Sequence, residues 1–311
     1  MTSAIELFDV TKSFRSQVAV DSLSLTVPTG SIYGFIGPNG SGKTTTLRMI
    51  LRIYQPDSGR VVVLGQPQGA VADDRVGYLP EERGLYKRMK VVDLLDYYAK
   101  LKGVRDAKPM IHKWLEKMGA TPWANRKIDA LSKGMAQKVQ FISAVIHQPQ
   151  LLILDEPFSG LDPVNMEVLR EAVLELRKAG ITIVFSTHDM EMAEQMCDYI
   201  FMIYRGKKVL NGTLDEIQSA YPADRVRVRL ADPQASLPSH SLILDPERRG
   251  RLFEFRMADP SRGSEVLRHL VQSENVEYYE VVRPSLHDIF VQIAGPEARQ
   301  AILSNKNESA A

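Results

Sequence analysis

The chain has 311 residues, of which 44% are apolar and 25% charged, as in an ordinary globular protein with one large or two medium domains. Its 39 basic and 38 acidic side chains leave a net charge of +1, so no overall charge draws it toward nucleic acid or anionic lipid. The single cysteine, Cys197, excludes a disulfide framework within the chain, fits a reducing compartment and is interpreted as small apolar filler among methionines.

The N-terminal residues show no basic region followed by an apolar core, so the sequence predicts no secretory signal. The best apolar stretches are shorter than the roughly 18 residues that a membrane helix needs, or are interrupted by polar residues. Any role at a membrane is therefore expected to come through a partner.

The N-terminal part of the chain alternates short β-type runs with one helix. Apolar and β-branched runs separated by turn residues predict strands that feed a central sheet. The helix is expected at residues 42–54, ending near Pro56, Asp57 and Gly59. The predicted strands are residues 5–10, 23–27, 31–37, 60–65 and 75–79.

Between about residues 87 and 147 the hydrophobic period becomes that of helices, with apolar residues at i, i+3 and i+4. Gly103 and Gly119 are the expected helix stops, because glycine tolerates the left-handed conformation that ends many helices. This block is predicted to be a helical insertion between strands.

Residues 150–156, QLLILDE, form a continuous apolar run typical of a parallel strand that is buried on both faces. Asp162 and Pro163 are expected to cap and start the next helix, and Gly180 to end it. A strand at residues 181–188 and a Met-rich helix follow. This alternation predicts an α/β fold with a parallel sheet covered on both faces.

Beyond about residue 215 the pattern changes, and strictly alternating runs predict a small α+β domain, residues 216–297, with a half-exposed sheet. Arg225, Arg227 and Arg229 alternate along one strand; a solvated outer face is the favoured interpretation and anion binding the alternative. The tail, residues 298–311, is predicted to be disordered. The expected strands are 225–230, 252–257 and 276–282, and the expected helices 264–272 and 285–295.

The stretch GPNGSGKT, residues 37–44, satisfies G-x-x-x-x-G-K-[ST] between an apolar strand and a helix. Glycines let a backbone wrap an anion, so Lys43 would reach the β and γ phosphates and the Thr44 hydroxyl would ligate Mg²⁺. An accidental glycine-rich turn is the alternative. The predicted nucleotide-binding residues are Asn39, Gly40, Ser41, Gly42, Lys43, Thr44 and Thr45.

Two acids, Asp155 and Glu156, end the apolar run, where a parallel sheet opens its ligand crevice. A carboxylate at Asp155 can hold Mg²⁺ through water. Glu156 is the candidate to orient and polarise an attacking water, so hydrolysis depends on it. Capping of a following helix is the alternative for both.

A second anion cradle is predicted at LSKGM, residues 131–135, where Ser132 precedes a helix whose first turn offers free N–H groups. GPNGSGKT already suffices for the phosphates of one nucleotide, so the sequence leaves open which phosphate this second cradle would bind. An ordinary helix N-cap is the alternative.

The chain contains, in this order, GPNGSGKTT, LSKGM, LLILDEP, SGLD (159–162) and STHD (186–189). Together these motifs resemble those of ATP-binding cassette (ABC) ATPases, and the resemblance covers residues 3–212. It implies a P-loop NTPase cassette, residues 1–215, with a parallel central sheet, N-terminal antiparallel strands and the helical insertion. YLPEERGLY (78–86), LSKGMAQKVQ and the small C-terminal domain most resemble the sodium-extrusion (NatA-type) branch of exporter ATP-binding subunits.

The resemblance implies which phosphate the second cradle binds. In this family two cassettes stack head to tail, and the signature loop of one covers the γ-phosphate held by the other. Ser132, Lys133 and Gly134 would therefore act on the ATP of a second cassette. Ser159 and Asp162 match the loop that links the two sites across the dimer.

Further roles follow from the same resemblance. Phe14 aligns with the aromatic residue that stacks on adenine, with Val18 and Val20 nearby. His188 matches the histidine that contacts the γ-phosphate, and it joins Glu156 and Lys43 as a predicted catalytic residue.

The sequence departs from the family pattern at two places. Glu81, or Glu82 if the alignment shifts by one, stands where a glutamine usually senses Mg²⁺ and the attacking water; a carboxylate would bind metal more directly or tune the rate. Lys133 and Met135 replace the commoner Gly and Gln of the signature. A lysine there is compatible with anion binding, and a side chain facing water is the alternative.

The resemblance implies the ATP-hydrolysing motor subunit of an ABC exporter, with ATP, Mg²⁺, a second cassette and a multi-span membrane permease at the cytoplasmic face. The stretch EERGLYKRMK and the helical insertion would dock the permease. A soluble ABC ATPase acting on DNA or ribosomes is the alternative; a single P-loop, no sustained heptads and near-neutral charge weaken it, and no nucleic acid partner is expected. A GTP-binding switch would not explain LSKGM or STHD. The cargo, homo- or heteromeric pairing and the role of the C-terminal domain stay open.

Overall fold

The computed structural model describes residues 2–67, 74–82 and 84–295. They belong to two compact units, one extending to Leu214 and the other spanning Asp215–Gly295, and each is described by itself. The predicted tail, residues 298–311, and the last two residues of the predicted C-terminal domain lie outside the described residues.

In the first unit, strands and helices alternate along the chain. They are β1 (Ser3–Phe14), β2 (Gln17–Pro28), β3 (Ile32–Ile36), α1 (Lys43–Ile50), β4 (Ser58–Val63), β5 (Gln66–Pro67), β6 (Val76–Leu79), α2 (Val91–Leu101), α3 (Lys108–Lys117), α4 (Lys133–Val145), β7 (Leu151–Asp155), α5 (Pro163–Lys178), β8 (Thr182–Thr187), α6 (Met190–Met196), β9 (Tyr199–Tyr204) and β10 (Lys207–Gly212). Helix α7 (Leu214–Ser219) begins at the last residue of this unit.

The central sheet has the strand order β10-β9-β3-β8-β7-β6, with β10 antiparallel at one edge and the other strands parallel. Every residue of β3, β7 and β8 is buried, as expected for strands covered on both faces. The predicted parallel sheet is confirmed. Because the strands are parallel, the carboxyl ends of β3, β7 and β8 meet at one edge.

A separate antiparallel sheet, β2-β1-β4-β5, confirms the predicted N-terminal antiparallel strands. Strands β1 and β2 are longer than predicted and pair as a hairpin out to Phe14 and Gln17. The polar residues near the hairpin tip lack an alternating apolar pattern, so cross-strand pairing extends these strands beyond what the sequence predicts. Helix α1 also ends earlier than expected, at Ile50.

The helical insertion is confirmed as α2, α3 and α4, which pack through a shared core that includes Leu95, Trp114 and Phe141. Gly103 and Gly119 have φ values of 76° and 62°, shortly after the ends of α2 and α3. These are the left-handed conformations expected of glycines that stop helices.

The second unit contains β11 (Arg225–Leu230), β12 (Ile243–Arg249), β13 (Leu252–Met257), α8 (Gly263–Ser273), β14 (Val276–Val282) and a helix, α9, over residues 286–295. Its antiparallel sheet has the order β12-β13-β11-β14. One face packs on α8 through a core that includes Val226, Phe255 and Leu270. Strand β12 was not predicted, because its sequence ILDPERR is charged and contains a proline; it is an edge strand, where proline is tolerated.

The alternating arginines of β11 lie on the opposite face and are paired with acids of their own unit. The shortest of these ion pairs join Arg227 Nε to Glu254 Oε2 at 3.2 Å and Arg229 Nε to Glu277 Oε2 at 3.0 Å. Arg225 also lies 3.5 Å from Glu254 Oε1. These pairs favour the solvated-face interpretation over anion binding.

No helix within the described ranges combines the length and the apolar character needed to cross a bilayer.

Candidate nucleotide site

The glycine-rich loop connects β3 to α1 at the carboxyl edge of the central sheet. Gly40 and Gly42 have φ values of 74° and 112°, and Gly42 is the residue that precedes the first turn of α1. A Cβ atom added to Gly42 would lie 2.5 Å from the Ala19 carbonyl oxygen, so a side chain does not fit there. Sterics and backbone conformation both require glycine in this loop.

The loop forms one wall of a cavity of about 390 Å³ that also receives residues from distant parts of the chain. All of the predicted nucleotide-binding residues except Val18 line it. The complete lining is Phe14, Gln17, Ala19, Asn39, Gly40, Ser41, Gly42, Lys43, Thr44, Thr45, Glu81 and Glu156.

Val18 and Val20 are not brought to this cavity. Val18 is 50% exposed, and Val20 is fully buried in the core beneath the antiparallel sheet. Their neighbours Gln17 and Ala19 line the cavity instead. Successive side chains of a strand point to opposite faces, so Val18, predicted as a nucleotide contact, lies on the face of β2 that is turned away from the cavity.

Lys43 is buried at the base of the loop. Its Nζ donates hydrogen bonds to the carbonyl oxygens of Gly37 (2.7 Å) and Pro38 (3.2 Å) and lies 3.7 Å from Glu156 Oε1. Burial lowers the pKa of Lys43, and the charges of Glu156 and Asp155 oppose that shift. The ammonium group is thus held against the backbone of the glycine-rich loop, where a polyphosphate wrapped by that loop would contact it.

Asp155, the last residue of β7, accepts hydrogen bonds at Oδ1 from the hydroxyls of Thr44 (3.3 Å) and Ser186. Its other oxygen, Oδ2, is buried and has no hydrogen-bond partner among the described residues. Burial raises the pKa of Asp155, although the two hydroxyl hydrogen bonds oppose the shift. Burying a carboxylate oxygen without a hydrogen-bond donor costs free energy. The unpaired Oδ2 of Asp155 therefore fits a site that binds a cation or a water ligand of that cation.

Among the described residues, His, Cys, Asp and Glu side chains form no group of three or more arranged to hold a metal ion. Thr44 and Asp155, whose side chains meet at 3.3 Å, are the protein groups that could hold a Mg²⁺ ion together with oxygens of bound phosphates.

Glu156 has a φ of 49°, a left-handed conformation that is uncommon for a residue with a side chain. Its N–H donates to the Ser186 hydroxyl (3.1 Å) and carbonyl (3.2 Å), which hold the strained backbone in place. The carboxylate is almost fully buried, and both oxygens lie 3.1 Å from His188 Nδ1. Strain of this kind at a strand end is typical of functional sites.

His188 follows β8, and its Nδ1 atom contacts the Glu156 carboxylate. The hydrogen bond to Glu156 raises the pKa of His188, and burial partly opposes the rise. The predicted catalytic residues Lys43, Glu156 and His188 are therefore in contact through the Glu156 carboxylate. Ser186, which the STHD motif contains but to which the sequence assigned no role, orients both Asp155 and Glu156.

Glu81 lines the cavity, whereas Glu82 does not. The Glu82 carbonyl oxygen instead accepts a hydrogen bond from Gln140 Nε2 at 3.3 Å. Burial, followed by the charges of Asp155 and Glu156, raises the pKa of Glu81. Of the two acids that the sequence left open, Glu81 is the one beside the nucleotide site.

Ser132, Lys133 and Gly134 do not line the cavity of their own chain. Ser132 is exposed and caps α4, accepting a hydrogen bond from the Met135 N–H at 3.3 Å. A Cβ atom on Gly134 would lie 3.5 Å from Asn165 Nδ2, which places the start of α4 beside the start of α5.

Ser159 and Asp162 lie between Glu156 and α5. The Ser159 N–H donates to the Glu156 carbonyl oxygen at 3.2 Å, and Asp162 caps α5 through the N–H groups of Val164 and Asn165. Both residues are exposed. This segment therefore connects the strained residue of the cavity to the surface beside Gly134.

A second cavity, of about 480 Å³, lies between the end of α1, β6, α2 and α4. Most of its wall is apolar. Ile53 and Leu101, two of its lining residues, are 55% and 59% exposed. Large exposed apolar side chains around a groove are typical of a surface that contacts another protein.

Comparisons with known proteins match both units. A family model described as ABC transporter matches residues 20–159, and one described as ATP-binding protein DrrA1-3-like, C-terminal domain, matches residues 212–294. The chain is 43% identical to the uncharacterized ABC transporter ATP-binding protein YhaQ of Bacillus subtilis (strain 168), over 92% of this chain and 97% of that protein.

Two further relatives have more specific names. NatA, an ABC transporter ATP-binding protein of Bacillus subtilis (strain 168), is 36% identical over 71% of this chain and 93% of its own length. Nod factor export ATP-binding protein I of Cupriavidus metallidurans (strain ATCC 43123 / DSM 2839 / NBRC 102507 / CH34) is 33% identical over 96% of this chain and 100% of its own length. A solved structure described as an ATP binding subunit of an ABC transporter superposes with a TM-score of 0.67 at 28% identity, covering 70% of this chain and 93% of that one.

Proposed function

The chain belongs to the ABC transporter family as an ATP-hydrolysing subunit, and from this we propose that it drives export through a separate membrane subunit. The observation that carries the proposal is the convergence of Lys43, Asp155, Glu156 and His188 at one edge of the central sheet. The relative named for Nod factor export, which matches nearly the whole chain, supports export as the direction of transport.

In the proposed site the N–H groups from Asn39 to Thr45 bind the phosphates of ATP, and Lys43 neutralises the β and γ phosphates. Thr44 and Asp155 would hold Mg²⁺, with Glu81 close enough in the same cavity to contribute its charge. When bound, Mg²⁺ supplies positive charge that stabilises the phosphate oxygens during transfer.

Glu156 orients a water molecule and accepts its proton as the water oxygen bonds to the γ-phosphorus; the bond from the γ-phosphorus to the bridging oxygen breaks, and ADP and inorganic phosphate are released. His188 holds the Glu156 carboxylate through its Nδ1 atom, and it is proposed to contact the γ-phosphate when ATP is bound. The burial of Glu156 and Lys43 strengthens these charge interactions, because little water screens them.

The site is proposed to be completed by a second cassette. Ser132, Lys133 and Gly134 are exposed or half-exposed at the start of α4, away from their own cavity, with N–H groups suited to an anion. They would cover the γ-phosphate bound to the other copy. Ser159 and Asp162 would link changes at Glu156 to the interface between the two cassettes.

The membrane subunit is proposed to dock in the apolar cavity between α1, β6, α2 and α4, which includes Leu85 from the predicted docking stretch. This arrangement would hold the protein at the cytoplasmic face. The NatA-type branch is proposed from the YLPEERGLY and LSKGMAQKVQ stretches and from 36% identity to NatA. Cargo selection is assigned to the membrane subunit.

The decisive test replaces Glu156 by Gln, which keeps the shape of the side chain and removes its basic oxygen. We expect ATP to bind while turnover falls by about 10²–10⁴-fold, the range of general-base catalysis. Phosphate release and ATP binding by calorimetry would be measured on the same preparation. Glu82→Gln, the same change beside the cavity, should retain turnover; near-normal turnover in Glu156→Gln would remove Glu156 as the base.

A further inference from the structure

The segment between α1 and β4, residues 54–57, contacts the end of β1 at several points, and we call it the platform support. The Tyr54 ring meets the Phe14 ring edge to face, with centroids 5.3 Å apart and planes at 68°. Asp57 accepts hydrogen bonds from Lys12 Nζ and the Ser13 N–H, both at 2.7 Å. The Asp57 N–H donates to the Thr11 carbonyl oxygen at 2.8 Å.

Phe14 needs such support because it lies at the end of a hairpin. It is the last residue of β1, its cross-strand partner is Gln17, and only two residues join the strands. The Phe14 side chain is 42% exposed and also lines the nucleotide cavity. An exposed ring at a hairpin tip is held by few core contacts, so neighbouring side chains decide its orientation.

Tyr54 is itself held by α1. Its N–H donates to the Arg48 carbonyl oxygen at 3.1 Å, and its hydroxyl accepts a hydrogen bond from Arg48 Nη1 at 3.2 Å. Helix α1 begins at Lys43, the residue that holds the phosphates in the proposed site. One helix therefore carries the phosphate contacts at its start and the support for Phe14 near its end.

We propose that Tyr54 is a positioning residue that sets the Phe14 ring, through the contacts of the platform support, to stack on the nucleotide base. This inference rests on the proposed nucleotide site. Helix α1 acts as a fixed spacer between the ring and the phosphate loop, so the support favours ligands that carry a base and contributes nothing to a bare polyphosphate.

The test compares ATP with inorganic tripolyphosphate, each titrated by calorimetry in the presence of Mg²⁺. For Tyr54→Ala we expect the Kd for ATP to rise about two- to tenfold, the value of an edge-to-face aromatic pair. The Kd for tripolyphosphate should not change. Tyr54→Phe, which keeps the ring and loses only the hydroxyl, should recover most of the ATP affinity.

An equal loss of affinity for both ligands would overturn the inference, because it would indicate general damage to the loop, and so would unchanged ATP affinity. If Tyr54→Ala does not fold, Asp57→Ala carries the same test, since the exposed Asp57 side chain ties Lys12 and Ser13 from the surface.

Phe14→Ala separates this inference from the proposed function. If Phe14→Ala leaves ATP affinity unchanged, the assignment of the base-stacking residue fails, whatever Tyr54 does. If Phe14→Ala weakens ATP binding and Tyr54→Ala does not, only the positioning role of Tyr54 fails.

Discussion

At the scale of single residues, the Glu156 carboxylate organises the candidate site. It lies 3.7 Å from the Lys43 ammonium group and 3.1 Å from His188 Nδ1, on a backbone held in a left-handed conformation. A buried carboxylate with two possible cationic partners is stable in the folded protein, because each partner offsets part of its desolvation. The same contacts keep it beside the phosphate loop.

His188 makes a pH-dependent contribution to stability. Its pKa is raised above the usual 6.5, so the folded state binds the proton more tightly than the unfolded state. The stabilisation is complete below pH 6.5 and is lost as pH rises through the folded-state pKa. Its size is on the order of 1 kcal/mol or less, because solvent screens the partly exposed side chain.

We therefore expect the difference in free energy of unfolding between the natural chain and His188→Gln to shrink as the pH rises from 6.5 through the raised pKa of His188. Denaturant titrations without nucleotide would measure it. A difference that stays constant over this range would show that the His188 proton is not shared with Glu156.

Lys43→Ala tests the phosphate contact. Removing a buried charge that binds an oppositely charged ligand typically costs several kcal/mol, so we expect ATP affinity to fall at least about a hundredfold. Calorimetry measures it directly, and Lys178→Ala, at the exposed end of α5, is the matched control. Unchanged ATP binding by Lys43→Ala would contradict the assignment of the loop.

At the scale of elements, β3 packs tightly against the end of α6. A Cβ atom on Gly34 would lie 2.5 Å from Cys197 Sγ, with the Cys197 Cβ next at 3.6 Å. Cys197 follows the last residue of α6 rather than lying within that helix, and burial raises the pKa of its thiol. It fills space against a strand, in agreement with its interpretation as apolar filler.

We expect Gly34→Ala to lower the free energy of unfolding by about 1–3 kcal/mol, the usual cost of overpacking a core. Cys197→Ala in the same chain should restore most of the loss, because it removes the atom that clashes. A double-mutant cycle from denaturant unfolding, with Cys197→Ala alone as control, measures the coupling. Additive effects of the two substitutions would contradict the packing argument.

For the whole molecule, one chain carries both halves of the proposed shared site, and residues 132–134 do not line the cavity of their own chain. Ser132→Arg places a bulky charged side chain at the exposed start of α4. The change is made in the Glu156→Gln background, in which slow hydrolysis leaves ATP-bound dimers intact. We expect the double variant to bind ATP as a monomer but to form no ATP-dependent dimer.

Light scattering with ATP would measure pairing, and Lys133→Arg, which keeps the charge of the next residue, is the control. Dimers of Ser132→Arg that persist at the concentration where the control pairs would refute the shared site.

The features that depend on short-range order could be predicted from the sequence. The spacing of glycines and Lys43 predicted a phosphate-binding loop, the apolar run of β7 before Asp155 predicted the parallel sheet, and Asp162 with Pro163 predicted the start of α5. Each of these rests on a backbone preference or a hydrophobic period within a few residues, and such preferences are local.

The features that join distant segments of the chain became visible only in the folded structure. It brought Glu81 rather than Glu82 to the cavity, turned Val18 away from it, and set Tyr54 against Phe14. It also paired β9, β10 and β12, for which no strand had been predicted. Strand pairing, register and side-chain contact depend on partners far along the chain, so no local pattern specifies them.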